Sequence, residues 1–155
     1  MPTTFVKGDL FEDARLDAIA HGCNCAGAMG KGIALEFRRR FPEMYAEYKE
    51  RCARGQFGLG GVFSWKGERV TVFNLGTQST WRTKAVLNAI KTALETMVQL
   101  AKETGIRRIG VPRIGAGLGG LPWQDVRSVL VAVGESTPVE LVVFEEYSRG
   151  DPDRG

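Results

Sequence analysis

The chain has 155 residues, of which 43% are hydrophobic and 25% charged, the balance of one globular domain long enough to bury a core. No apolar run approaches the roughly 20 residues a bilayer helix needs, and no basic stretch followed by an apolar one opens the chain, so neither a membrane span nor an export signal is expected. A net charge of +3 does not demand nucleic acid but is compatible with a polyanionic partner. The cysteines number three (Cys23, Cys25 and Cys52), which argues against a disulfide framework and for a reducing cytoplasm.

In chain order, Thr3–Lys7 reads as a strand stopped by Gly8-Asp9, and Asp17–His21 as a second apolar strand. Ile33, Ala34 and Phe37 recur at helical spacing between Gly30 and Arg40. Pro42 opens a second helix to Arg54, with Gly55 and Gly58 beyond it. Gly61–Trp65 and Arg69–Leu75 form a hairpin around Lys66-Gly67. Thr83 is placed to cap a helix to about Glu103, with the stripe Leu87, Ile90, Leu94, Met97/Val98 and Ala101, stopped by Gly105. Arg108–Pro112 is a strand, Pro122 to Val133 a helix, and Val139–Phe144 a buried strand. The order β-β-α-α-β-β-α-β-α-β predicts an α/β domain over residues 1–147 with a mixed sheet. Residues 148–155 form a polar tail or the start of a linker, as in a domain cut from a longer chain.

Much of the glycine (20 residues) falls in two clusters, each between a strand and a helix. The later one, Pro112 to Trp123, has glycines at 115, 117, 119 and 120. Glycines let backbone N–H groups approach a phosphate, and the following helix N-terminus favours negative charge, so a diphosphate is the natural guest. A tight turn needing positive φ is the plainer reading. Gly115, Gly117 and Gly120 also match G-x-G-x-x-G, with Glu145 near the acidic position of a dinucleotide dehydrogenase, but no room remains for a substrate domain. The earlier cluster, His21 to Ala34, holds Asn24, either a reader of a sugar hydroxyl or a loop stabiliser. Residues His21, Cys23 and Cys25 suggest zinc, but their spacing is no closed zinc pattern and a fourth ligand is missing, so no metal is expected.

Three segments stand in the order of a macro domain: Gly8-Asp9-Leu10-Phe11, the Asn24 loop with Met29-Gly30-Lys31-Gly32-Ile33-Ala34, and Pro112-Arg113-Ile114-Gly115-Ala116-Gly117-Leu118. From about Thr3 to Tyr147 the chain resembles that family. The resemblance implies a three-layer α/β/α fold with a central mixed sheet that binds ADP-ribose, with no cofactor. Within the family the chain is most similar to the branch holding terminal ADP-ribose protein glycohydrolase and the DarG antitoxins. Phe73-Asn74-Leu75-Gly76-Thr77-Gln78, followed by Trp81-Arg82 and Lys84, carries that likeness. It implies an ADP-ribosyl glycohydrolase that removes ADP-ribose from thymidine in single-stranded DNA. It also implies a cognate DNA ADP-ribosyltransferase toxin as partner, and a further C-terminal region. The yeast-type ADP-ribose-1″-phosphate phosphatases share much of the pattern.

Carried over by position, Asp9 accepts from the adenine amine with Leu10 alongside, and Phe144 packs on the adenine. Met29, Gly30, Gly32 and Ile33 line one wall. Gly115, Ala116, Gly117, Leu118 and Gly119 give the diphosphate its backbone donors. Asn24 binds the distal ribose and, with Lys84, is the catalytic candidate. Trp81 and Arg82 face the nucleic acid. The chain departs from the glycohydrolase branch twice. Gly119 stands where that branch carries an acid, and Gln78 stands at the position of its lysine. Lys84, six residues later at the expected helix start, is a spatial substitute, acting as an ammonium on the leaving base or as an amine attacking the sugar. A binding module without turnover and a phosphatase are the competing readings. The run Arg38-Arg39-Arg40 reads as a helix C-terminus rather than a DNA contact.

Overall fold

The computed structural model describes residues 2–147, and the predicted tail at 148–155 lies outside the described residues. The elements are β1 (Thr4–Gly8), β2 (Ala18–Asn24), α1 (Gly32–Arg40), α2 (Pro42–Ala53), β3 (Val62–Lys66), β4 (Thr71–Gln78), α3 (Leu87–Glu103), β5 (Arg108–Val111), α4 (Trp123–Glu135) and β6 (Glu140–Tyr147), in the predicted order. They build one six-stranded sheet, β1-β6-β5-β2-β4-β3. Its neighbours are parallel except for the edge strand β3, which runs antiparallel to β4.

Both faces of the sheet are covered, and side chains divide between them with the period of two that a strand imposes. Ala18 and Ala20 of β2, Phe73 and Leu75 of β4, and Leu141 and Val143 of β6 pack with α3 and α4. Ile19, Cys23, Val72, Val142 and Phe144 pack instead with Phe37 of α1 and Met44 and Tyr48 of α2. The result is the three-layer α/β/α sandwich that the family resemblance implies. Ile90, Leu94 and Met97, from the predicted stripe, are the fully buried spine of α3. Among the described residues no helix is long and apolar enough to cross a membrane.

The structure corrects the start of α3. Thr83 does not cap it; its hydroxyl donates to Thr80 O and accepts from Thr80 N–H, closing a local turn. Ala85 N–H then donates to Gly119 O and Val86 N–H to Thr77 O. These ties hold the chain extended at Val86 (φ −112°, ψ 116°), and the helix begins at Leu87. Lys84 therefore precedes the helix instead of opening it.

His21 is fully buried in the α1 layer, stacked on Phe37 at 3.8 Å between ring centroids. Its Nε2 lies 2.7 Å from Asn74 Oδ1, and burial lowers its pKa to about 4, so the ring is neutral and donates to Asn74. Cys23 Sγ lies 3.4 Å from the same nitrogen. Among the described residues no group of three or more His, Cys, Asp or Glu is placed to hold a metal ion. At the end of α1, Arg38 lies over the Tyr45 ring, and Arg40 pairs with Glu36 and Glu12 while covering Phe11. Both are engaged with their own layer.

Candidate functional site

The topology creates a crevice. Parallel strands β5, β2 and β4 lie side by side, so the loops leaving their C-terminal ends are neighbours. The loop after β2 leads to α1 on one face of the sheet. Those after β4 and β5 lead to α3 and α4 on the other. Adjacent strands whose connections part in this way leave a cleft above the sheet, where α/β proteins bind ligands.

The loop after β5 is backbone-built. Ile114 N–H donates to Pro112 O, Gly120 N–H to Ala116 O, and Leu121 N–H to Gly115 O. The N–H groups from Gly115 through Gly119 are committed to no protein acceptor among the described residues. Five consecutive available donors ahead of a helix form an anion cradle. Two glycines make it feasible. Gly115 has φ +72°, and a Cβ there would fall 2.5 Å from Ile90 Cδ1. A Cβ at 119 would fall 2.6 Å from the Gly115 carbonyl oxygen. The position where the glycohydrolase branch carries an acid therefore has no room for any side chain here.

The loop after β2 is instead templated by a side chain. Asn24 Oδ1 accepts from Ala26 N–H at 3.0 Å and Ala28 N–H at 3.3 Å, and its Nδ2 donates to Ala28 O at 2.7 Å. Beyond it, Gly30, Lys31 and Gly32 are exposed, and α1 starts with no side-chain cap and no acidic residue in its first turn. The two loops meet: a Cβ on Gly32 would lie 3.6 Å from Leu118 Cδ1, and Leu118 is 71% exposed over the cleft.

The segment 78–86 closes the third side. Gln78 and Ser79 carbonyls accept from Cys25 N–H, tying it to the first loop, and Ala85 N–H to Gly119 O ties it to the second. Gln78 Nε2 donates to Thr80 O at 2.9 Å and Thr83 O at 3.1 Å, so the residue at the branch's lysine position staples this segment. Lys84 is exposed, its Cγ and Cε 3.5 Å from where a Gly120 Cβ would sit. Trp81 is 57% exposed with the Arg82 guanidinium 4.6 Å from its ring centroid, so it does not pack into the domain.

Asp9 and Phe144 lie at the other end, after β1 and on β6. Asp9 Oδ1 accepts from Phe11 N–H at 2.9 Å. Leu10, Met29 and Phe144 are almost wholly buried, so they back the cleft rather than line it openly. The row from β1 to β4 crosses four strand spacings, about 19 Å, an elongated groove. A cavity of about 580 Å³ lies between the β3–β4 turn and the α1–α2 junction and reaches Leu10, and one of about 540 Å³ lies at the opposite end of β5 and β6. Glu145, the acid a dehydrogenase would need, accepts from Trp123 Nε1 and Arg127 Nε instead. The Trp123 bond, with Arg127, holds its carboxyl below the usual range.

Sequence reasoning missed Tyr48. Its hydroxyl reaches Asn24 across 24 positions, while a tyrosine in an apolar helix stripe reads only as core.

An α/β/α domain with a glycine-rich cleft at its topological switch point has clear relatives. The Macro domain profile matches residues 20–130. The chain is 36% identical to the DNA ADP-ribosyl glycohydrolase of Mycobacterium tuberculosis over 146 residues, covering 91% of this chain and 41% of that protein. It is 31% identical to the ADP-ribose 1″-phosphate phosphatase of Candida albicans, covering 81% of this chain and 90% of that one. Its fold matches the macrodomain of Mycobacterium tuberculosis DarG with a TM-score of 0.86 at 34% identity, covering 94% of this chain and 96% of the other. The chain belongs to the macro domain family. It spans about two fifths of the length of the glycohydrolase relative.

Proposed function

We propose that this chain is a cytoplasmic glycohydrolase that releases ADP-ribose from thymidine in single-stranded DNA, undoing the work of a DNA ADP-ribosyltransferase toxin. The observation that carries the reading is the run of N–H groups from Gly115 to Gly119 without a protein acceptor among the described residues, in a loop whose Leu118 meets Gly32 of the other glycine loop. Identity to a DNA ADP-ribosyl glycohydrolase supports it.

In this reading the diphosphate lies on the 115–119 cradle and against Gly30, Gly32 and Ile33, with Met29 behind. The adenine lies at the β1–β6 end, its amine on Asp9, with Leu10 and Phe144 beneath. The distal ribose then reaches Asn24 and the 78–86 segment, and the attached base leaves beside Trp81 and Arg82. Stacking on an exposed aromatic suits an unpaired base. The C1″–N bond breaks as positive charge builds at C1″. Water supplies a hydroxyl to C1″ and a proton to the departing base. Covalent attack by a lysine calls for a desolvated amine. Lys84 is exposed, so its part is hydrogen bonding to the leaving base or a ring hydroxyl.

The phosphatase reading has one observation in its favour: the Candida relative is matched over 90% of its own length. The binding-only reading draws on Gly119, where no carboxylate fits. One experiment separates the three. The protein is incubated with a thymidine-linked ADP-ribose oligonucleotide, with ADP-ribosylated protein and with ADP-ribose 1″-phosphate. Release from the oligonucleotide is expected; phosphate release alone, or no release with intact ADP-ribose binding, overturns the proposal.

A further inference from the structure

We infer that Tyr48, on α2 and outside the cleft, is a positioning residue whose hydroxyl orients the Asn24 amide so that one Nδ2–H faces the cleft. The inference rests on the assignment of Asn24 to the distal ribose.

Tyr48 is fully buried. Its one hydroxyl proton faces three oxygens: Asn24 O at 2.8 Å, Asn24 Oδ1 at 3.1 Å and Ala28 O at 3.4 Å. A carboxamide offers two N–H donors and one oxygen. The Asn24 oxygen already accepts from Ala26 and Ala28 N–H, and one N–H is engaged by Ala28 O. One N–H is left, and the plane of the amide sets its direction. A reversed amide would put Nδ2 against two backbone donors, so the flip is disfavoured.

The loop alone is a weak clamp on that plane, because Ala26-Gly27-Ala28 has no large side chain. Tyr48 holds it from a rigid element. Its ring stands edge-on to Phe57 at 5.7 Å and tilted to Tyr45 at 6.1 Å. Burial raises the phenol pKa well above its ordinary value, so the hydroxyl stays a donor.

Calorimetry with two ligands tests this. Tyr48→Phe is expected to weaken ADP-ribose binding about fivefold to tenfold, the worth of one hydrogen bond. ADP, which lacks the distal ribose, is expected to bind as it does to wild type. An equal loss for both ligands, or no loss for either, overturns the inference, since a merely structural role gives one of those results. Wild-type protein that does not distinguish ADP-ribose from ADP overturns the Asn24 assignment itself, and is recognised without any variant. Should Tyr48→Phe fail to fold, NMR of wild type decides. A slowly exchanging Tyr48 hydroxyl proton, with one Asn24 amide proton shifted by ADP-ribose but not by ADP, supports the role. Rapid exchange of the hydroxyl proton, or an equal response to ADP, overturns it.

Discussion

The two glycine loops face each other but are held by opposite means. The loop after β2 takes its shape from side chains, with the Asn24 amide inside it and the Tyr48 hydroxyl behind it. The loop after β5 takes its shape from backbone hydrogen bonds and from the absence of Cβ atoms at 115 and 119. The first is therefore vulnerable to losing atoms and the second to gaining them. Only the second leaves a run of backbone donors, Gly115 to Gly119, without a protein acceptor among the described residues.

The largest expected effect comes from adding atoms to the second loop. Gly115→Ala combines a positive φ with a contact on Ile90, and should destabilise the domain by about 2–4 kcal/mol. Gly119→Asp should abolish ADP-ribose binding rather than supply a catalytic acid, because its Cβ meets the Gly115 carbonyl. Thermal melts and calorimetry read both, and a tolerated Gly119→Asp would break the comparison.

Next comes acid. His21 lies in the middle of β2, the strand that leads into the side-chain-held loop, and is neutral when folded with a pKa of about 4. The unfolded chain takes up that proton at about pH 6.5. Stability from this group is thus complete above pH 6.5 and declines as pH falls toward 4, by about 1.4 kcal/mol per unit. Urea melts at pH 7, 5.5 and 4.5 should show the slope, and His21→Gln should flatten it.

Lys84 hangs from the second loop through its neighbour Ala85. Lys84→Ala should lower kcat on the ADP-ribosylated oligonucleotide about 100-fold, near 2.7 kcal/mol of barrier, with free ADP-ribose affinity unchanged. A fall of less than about threefold, under 1 kcal/mol, would end its catalytic role. Trp81→Ala should weaken binding of the oligonucleotide substrate about tenfold and leave free ADP-ribose alone. The smallest effect belongs to Gly117→Ala. Nothing lies within 4 Å of its Cβ position, so stability should stay within about 0.5 kcal/mol.

All ten elements and both loops were legible in the sequence because periodicity and glycine placement are local signals. The start of α3 was not. A threonine that caps a helix and one that closes a turn three residues back look alike, and the carbonyls of Thr77 and Gly119 decided between them. The role of Asn24 was half legible: its place in the loop shows in the chain, but the three atoms that fill its oxygen do not. The depth at which Phe144 and Met29 are buried follows from the packing of the layers, which no local pattern in the chain displays.

The tie between Ala85 and Gly119 extends further than one bond. Ala85 N–H donates to Gly119 O; the same peptide group's other end, Gly120 N–H, donates to Ala116 O. The peptide carrying that oxygen ends in Gly117 N–H, one of the cradle donors. Three amide dipoles thus run head to tail from the segment that bears Lys84 to Gly117. Such a wire polarises along its length, so negative charge drawn to Gly117 tightens every junction back to Ala85. An anion held on Gly117 would, through this chain, strengthen the Ala85–Gly119 bond beside Lys84.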